Sequence, residues 1–175
     1  MERTIKRETI YQGKVIDVYV DEVEIKNNKT SKREIVKHRG AVCALAITKN
    51  DELVFVRQFR KPVEEVLIEI PAGKLEIGEE KNDAILREIR EETGYAVEEI
   101  EYITEFYTSP GFSNEKGYLY FAKLGEQGET DFDEGEDIEL LTCSLDEAMR
   151  MVWEGKIIDA KTIMALSLFQ TRRER

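Results

Sequence analysis

The stretch GKLEIGEEKNDAILREIREETGY, from Gly73 to Tyr95, constrains the fold more than any other part of this 175-residue chain. Its second half has helical spacing, predicting a helix from about Glu80 to Thr93. Gly94 falls at the C′ position, where glycine takes a left-handed turn at little cost. On that helix Glu88, Glu91 and Glu92 stand at i, i+3 and i+4. With a rotation of about 100° per residue, Glu92 lies about 40° to one side of Glu88 and Glu91 about 60° to the other. Ile85 and Ile89 fall at about +60° and +100°, with Leu86 beyond them. The three carboxylates therefore share one strip, and that strip borders the apolar stripe. Like charges at this spacing repel by about a few tenths of a kcal/mol per pair. Repulsion is less screened at the edge of a core. A solvated acidic face would oppose the apolar stripe rather than border it. Arg87, one turn before Glu91, is placed to orient one carboxylate. The preceding PAGKLEIGE carries a proline and glycines that permit close backbone approach. A hard divalent cation answers the arrangement: Mg²⁺ takes oxygen ligands, keeps waters and favours phosphate-bearing substrates.

Composition narrows the function classes. Hydrophobic residues at 41% and charged residues at 36% describe a globular chain, and the length suits one domain with a small appendage. A net charge of −11 argues against nucleic acid or an anionic membrane surface as partner. An anionic substrate would need positive charge recruited from elsewhere. Cys43 and Cys143 lie in apolar runs and form no Cys-x-x-Cys pair, which points to a reducing, cytoplasmic setting. His38 is the sole histidine, at a strand end, which leaves little support for a Ser-His-Asp triad or a zinc site.

Along the chain, GKVIDVYVDEVEIKNNKTSKREIVKH alternates around a polar turn and reads as a hairpin. AVCALAITKNDELVFVRQFR repeats the pattern, with a turn near Asn50-Asp51. VLIEIPAG reads as a strand ended by Pro71 and Gly73. EEIEYITEFYTS, a turn at PGFSNEKG and GYLYFAKL follow. Eight of the fourteen residues from Glu126 to Glu139 are acidic, a loop composition. Ser144 and Glu147 form a capping box for a helix over about Leu145–Glu154. Asp159 caps a last helix, whose Ile163, Leu166 and Leu168-Phe169 suggest the buried face. The order gives a mixed α/β (α+β) architecture with the Glu-bearing helix laid on a sheet.

Gly73, Glu79, Arg87, Glu88, Ile89, Glu91, Glu92, Gly94 and Tyr95 resemble the Nudix box. That motif runs Gly, five residues, Glu, seven residues, Arg-Glu, an apolar residue, any residue, Glu-Glu, any residue, Gly and an apolar residue. The resemblance implies the Nudix fold, mixed sheets sandwiched between helices, over residues 39–175. It further implies an N-terminal antiparallel β arm, residues 1–38, for dimerisation and substrate contact. KREIVKHRGAV, VRQFRKP, EIPAGKLE, FYTSPGFSNE, DEGEDIEL and EGKIIDAKT are similar to segments of bacterial ADP-ribose pyrophosphatases, and Pro110 stands sixteen residues after Gly94 as in that subfamily. The implied reaction is Mg²⁺- or Mn²⁺-dependent hydrolysis of ADP-ribose to AMP and ribose 5-phosphate, with two or more ions. The metals would supply the positive charge the surface lacks.

By the same resemblance Glu88 and Glu92 are the principal metal ligands, with Glu91 as a further one. The Ala72 carbonyl and Glu136 are implied to contact metal too. Glu134 corresponds to the general base, with Glu115 as the alternative. Arg87, with Glu79, braces the catalytic loop and helix. Arg33, Arg57 and Arg60 are candidates for phosphate or terminal-ribose contacts. Tyr19 or Tyr11 is the candidate for stacking on adenine, from a partner's arm in a homodimer, and Pro110-Gly111 marks a substrate-side loop. Open alternatives are another nucleoside diphosphate sugar, a nucleoside triphosphate, a non-hydrolytic ADP-ribose-binding regulator and an acidic structural protein.

Overall fold

The structure, a computed structural model, describes residues 2–131 and 138–174. The chain divides into two compact units: Met1–Ala41 with Glu105–Gly117, and Val42–Thr104 with Tyr118–Arg175.

The first unit holds a three-stranded antiparallel sheet of β1 (Arg3–Gln12), β2 (Ile16–Ile25) and β3 (Lys29–His38). β2 and β3 form the expected hairpin, in register from Ile16↔His38 to Ile25↔Lys29. Its turn places Asn27 and Asn28 at φ 65° and 54°, a left-handed region that asparagine tolerates better than most residues. β1 was not legible: all ten residues are exposed, so RTIKRETIYQ has no apolar face to alternate. An ion pair secures it instead. Arg7 donates from Nε and Nη2 to the two oxygens of buried Asp21, each at 2.7 Å.

The segment Glu105–Gly117 is fastened to β3 by backbone bonds. The Val36 amide donates to the Phe112 carbonyl at 2.8 Å, and the Asn114 amide donates to the Val36 carbonyl at 3.2 Å. His38 completes the join: its amide donates to Asn114 Oδ1 at 2.7 Å, and its Nδ1 accepts the Gly40 amide at 3.0 Å.

The second unit is built on a sheet of β4 (Ala41–Ile47), β5 (Leu53–Arg60), β6 (Glu65–Glu69), β7 (Ala72–Lys74), β8 (Tyr95–Tyr107), β9 (Lys116–Gln127) and β10 (Ile138–Cys143). The order is β10-β5-β4-β9-β8, with β6 beside β5 and β7 beside β4. β10 pairs with β5 along its length, while β4 and β6 share the opposite edge of β5, at Leu53-Val54 and from Val56 to Arg60. Among the described residues three helices complete the unit: α1 (Lys81–Thr93), α2 (Leu145–Trp153) and α3 (Ala160–Arg173).

Both sheet faces are covered, which explains the unbroken apolar run AVCALAI. Val42, Ala44, Ala46 and Val54 point to α1, where they meet Ala84, Ile85 and Ile89 together with Tyr120, Ala122 and Leu124 of β9. Phe121 faces the other way and meets Phe169 of α3 edge-on, centroids 5.3 Å apart. Each fully buried aliphatic side chain contributes about 1.5–3 kcal/mol.

The caps stand where the sequence puts them. Ser144 accepts the Glu147 amide and Asp159 accepts the Thr162 amide, at 3.2 and 3.0 Å. The buried face of α3 meets expectation at Leu166 and Phe169 and differs elsewhere. It is centred on Thr162, Ala165 and Leu166, and Leu168 is exposed, because the i, i+3, i+4 set starting at the capped first turn is the one that meets the sheet. The strand expected over VLIEIPAG is two strands, β6 and β7, separated at Ile70-Pro71.

Candidate functional site

α1 carries the carboxylate strip and is held firmly at both ends of that strip. Its C-terminus closes on Gly94 at φ 72°, whose amide donates to the Arg90 carbonyl. A Cβ at that position would also meet the Gly128 carbonyl oxygen at 2.6 Å, so backbone packs directly on backbone there. Exposure follows the helical angles. Glu92, nearest the apolar stripe, is 4% exposed; the Glu88 side chain is 13% and the Glu91 side chain 34% exposed. The strip thus descends from solvent into the core edge.

Arg87 sits among these acids. Its Nη1 donates to Glu88 Oε1 and to Glu91 Oε2, both at 2.9 Å. Its Nε and Nη2 donate to Glu79 at 2.9 and 3.2 Å. The hydrogen bond to Glu79, with the neighbouring charges of Glu88 and Glu91, raises the Arg87 pKa well above its usual value. In return Arg87 holds the Glu79 carboxyl below the usual carboxylate range. Glu79 Oε2 also accepts the Glu76 amide at 3.0 Å, so this residue closes the loop ahead of α1.

The chain before that loop completes the site. The Ala72 amide donates to Glu92 Oε2 at 3.0 Å. A Cβ on Gly73 would lie 1.7 Å from Glu88 Cδ and from Glu88 Oε1, so the Glu88 carboxylate occupies the space glycine leaves open. Ala72, Gly73, Glu79, Arg87, Glu88, Glu91 and Glu92 are therefore brought together in the second unit.

The acidic segment that follows β9 is tied to the same helix. The Gly128 amide donates to the Gly94 carbonyl at 2.8 Å and the Asp131 amide to the Glu91 carbonyl at 3.0 Å. Glu129, Thr130 and Asp131 line an open cleft of about 670 Å³ with Leu86, Arg87, Arg90 and Glu91. Leu86, grouped by its angle with the apolar stripe, is partly exposed at that cleft. Glu134 and Glu136 lie outside the described residues.

The arginine and aromatic candidates are distributed over both units. In the second, Arg57 donates to Glu139 at 2.7 Å, its cross-strand neighbour. Arg60 makes a two-pronged pair with buried Glu69, Nε to Oε1 at 2.7 Å and Nη2 to Oε2 at 3.0 Å. In the first, Arg33 pairs with Glu2, and Tyr19 donates to Asp17 Oδ2 at 3.1 Å beneath the Arg7 guanidinium. Tyr11 is exposed on β1. Pro110 and Gly111 form an exposed turn, in which the Phe112 and Ser113 amides donate to the Ser109 carbonyl. Glu115 follows, accepting from Thr108 Oγ1 at 2.7 Å and standing 3.5 Å from His38 Nδ1.

Sequence reasoning missed Glu69 and the pairing of Asp159 with Lys161; it read close backbone approach at the glycines of PAGKLEIGE but not that the Glu88 carboxylate fills the space at Gly73. The available signal for the first was a lone glutamate in the apolar strand VLIEI, immediately before the proline.

A divalent cation fits the residues present. Among the described residues no group of three or more His, Cys, Asp or Glu side chains is gathered closely enough to hold a metal by itself. The donor set nonetheless consists of hard oxygens, the cation preference of Mg²⁺ and Mn²⁺. The Arg87 nitrogen already shows that Glu88 and Glu91 can share one positive centre. The Gly73 cradle keeps the Glu88 carboxylate against the backbone instead of in solvent.

Comparison with known proteins agrees with this geometry. The NUDIX domain profile matches residues 37–166. The chain is 47% identical to the ADP-ribose pyrophosphatase of Bacillus subtilis (strain 168), over 98% of this chain and 94% of the relative. It is also 47% identical to the methanol dehydrogenase activator of Bacillus methanolicus, over 97% and 92% of the two chains. Among solved structures, an ADP compounds hydrolase superposes with a TM-score of 0.86 at 20% identity, covering 99% of this chain and 94% of that one, which speaks for the fold. The chain, from its boxed helix to its sheet order, belongs to the NUDIX domain family.

Proposed function

We propose that this protein hydrolyses the diphosphate bridge of ADP-ribose, giving AMP and ribose 5-phosphate, with Mg²⁺ or Mn²⁺ as cofactor. The observation that carries the reading is the carboxylate strip graded from solvent to core and backed by the Gly73 cradle. The near-full-length similarity to an ADP-ribose pyrophosphatase supports the substrate.

Glu88, Glu92 and Glu91 would hold the cations, with the Ala72 backbone beside them and Glu136 joining from the acidic loop. When bound, such ions supply positive charge to the diphosphate and acidify water. The protein's own groups do the rest. Arg87 aligns Glu88 and Glu91 through one nitrogen, and the Ala72 amide fixes the Glu92 carboxylate. Glu134 takes the proton of the attacking water, with Glu115 as the alternative base. The chain ahead of Glu134 is described as far as Asp131, whose amide donates to the Glu91 carbonyl beside the strip. Water attacks one phosphorus in line, the bond to the bridging oxygen breaks, its electron pair leaves with the departing phosphate as an anion, and Glu134 returns its proton to solvent. Arg57 or Arg60, and Arg33, would contact phosphate or the terminal ribose, Tyr19 or Tyr11 the adenine, and Pro110-Gly111 the substrate-side loop.

The arm, 1–38, is proposed to pair two copies of the chain, leaving residues 39–175 as the catalytic body. Ile5, Ile10 and Tyr11 of β1 are each about half exposed, as an interface strand would present them. A cytoplasmic setting suits the two free cysteines. The test is turnover of ADP-ribose, other nucleoside diphosphate sugars and nucleoside triphosphates with Mg²⁺; ADP-ribose ranking below the others would overturn the substrate.

A regulatory reading rests on one observation, the equal identity to a protein named methanol dehydrogenase activator. Binding of ADP-ribose without turnover would favour it.

A further inference from the structure

Five consecutive residues, Glu69 to Gly73, run from contacts with β5 and α3 through β4 to α1 within the second unit. Glu69 accepts from Arg60 of β5 and from Lys161 Nζ of α3. The Ile70 amide donates to Thr162 Oγ1 at 2.9 Å. The Pro71 carbonyl accepts the Ala44 amide at 3.0 Å. The Ala72 amide holds Glu92, and Gly73 makes room for Glu88. One short strap thus connects the first turn of α3 to the two most buried acids of the strip.

The α3 end is itself rigid. Asp159 Oδ2 accepts both the amide and the hydroxyl of Thr162, at 3.0 and 2.6 Å, and Asp159 Oδ1 stands 3.1 Å from Lys161 Nζ. Arg60, Lys161, Glu69 and Asp159 form a group of two cations and two anions. Glu69 is 2% exposed and the Lys161 side chain 20% exposed. Such a buried group is weak evidence for stability, because desolvation offsets the attraction. Its other capacity is to fix direction. With Nε and Nη2 spent on Glu69, Arg60 can turn only its Nη1 edge elsewhere, and among the described residues that nitrogen makes no hydrogen bond.

We propose that Lys161 and Thr162 are positioning residues for the diphosphate chemistry. Through Glu69 and the Glu69–Gly73 strap they set the Arg60 guanidinium edge for an anionic phosphate and set Glu92 and Glu88 for the cation. The proposal rests on the metal and diphosphate reading given above, and it assigns a task to the DAKT segment that the box does not touch.

The test uses the full chain, with Mn²⁺ alone as the probe in calorimetry and ADP-ribose kinetics beside it. Lys161→Met is expected to melt cooperatively, to bind Mn²⁺ about tenfold or more weakly and to show a raised KM for ADP-ribose. Lys161→Arg should recover most of both losses. Thr162→Val leaves all four charges and removes the acceptor for Ile70; it should weaken Mn²⁺ binding with KM near wild type. A lowered melting midpoint with wild-type Mn²⁺ affinity, kcat and KM in both Lys161→Met and Thr162→Val would overturn the proposal. If Lys161→Met does not fold, wild-type Mn²⁺ affinity in Thr162→Val alone overturns it. Wild-type protein that binds Mn²⁺ but does not hydrolyse ADP-ribose removes the substrate reading, while the Mn²⁺ affinities of the variants still decide this one. Wild-type protein that binds no Mn²⁺ overturns both.

Discussion

Gly73 and Glu88 compete for the same space: a methyl on Gly73 would sit 1.7 Å from the Glu88 carboxylate carbon. The first and the fourth of the motif's nine specified positions, Gly73 in the loop and Glu88 on the helix, are thus joined by one steric fact. Gly73→Ala should fold with a stability change within about 1 kcal/mol, since the obstructing atoms end a flexible side chain. Its Mn²⁺ affinity and turnover should drop by about tenfold or more, because Glu88 must swing out. Wild-type activity in Gly73→Ala would show that the Glu88 position does not matter.

Glu92→Gln retains shape and the acceptor for the Ala72 amide while losing charge. We expect an intact melt and a loss of kcat on the order of a hundredfold, measured with saturating ADP-ribose and Mg²⁺. An unchanged kcat would remove Glu92 from the metal site.

Glu134→Gln separates the proton-transfer role from binding. Metal affinity should stay at the wild-type value and kcat should fall; a shift confined to KM would move the residue to substrate contact, and Glu115 would take its place as base.

Arg87→Ala leaves Glu79, Glu88 and Glu91 without their shared cation. Since the Arg87 side chain is partly exposed, the stability loss should be about 1–2 kcal/mol by denaturant titration. Added Mn²⁺ should recover part of it, because a second cation then answers the same carboxylates.

Acid stability depends on Glu69. Burial alone would raise its carboxyl, but the Arg60 hydrogen bonds and the Lys161 charge outweigh burial and hold it below the usual range. A folded pKa below the unfolded one adds stability above the unfolded value, about 4.3, and that share is lost as pH falls toward the folded value. The melting midpoint should therefore decline as pH drops below about 5, and Glu69→Gln should flatten that decline.

How much the residues disclosed depends on whether a signal was local. The α1 boundaries, the caps at Ser144 and Asp159 and the left-handed Gly94 are set within a few residues of chain, and each was legible. So was the gradient of Glu92, Glu88 and Glu91, because helical angle alone decides which acid faces the core. β1 escaped because its stabilising contact, Arg7 with Asp21, spans the hairpin and leaves no apolar pattern. The strap escaped for a similar reason: Glu69 and Lys161 are 92 residues apart, and nothing local says that a glutamate in an apolar strand will meet them. Arg60 and Arg57 looked alike in VRQFRKP, yet one faces a buried acid and the other an exposed cross-strand partner.

The central claim is that the strip on α1 holds divalent cations that grip a diphosphate. Calorimetric titration of Mn²⁺ into wild type and Glu92→Gln, with and without a non-hydrolysable ADP-ribose analogue, tests it most directly. The account predicts binding by wild type that tightens when the analogue is present, and marked weakening in Glu92→Gln. Equal, weak and analogue-independent heats in both proteins would contradict it.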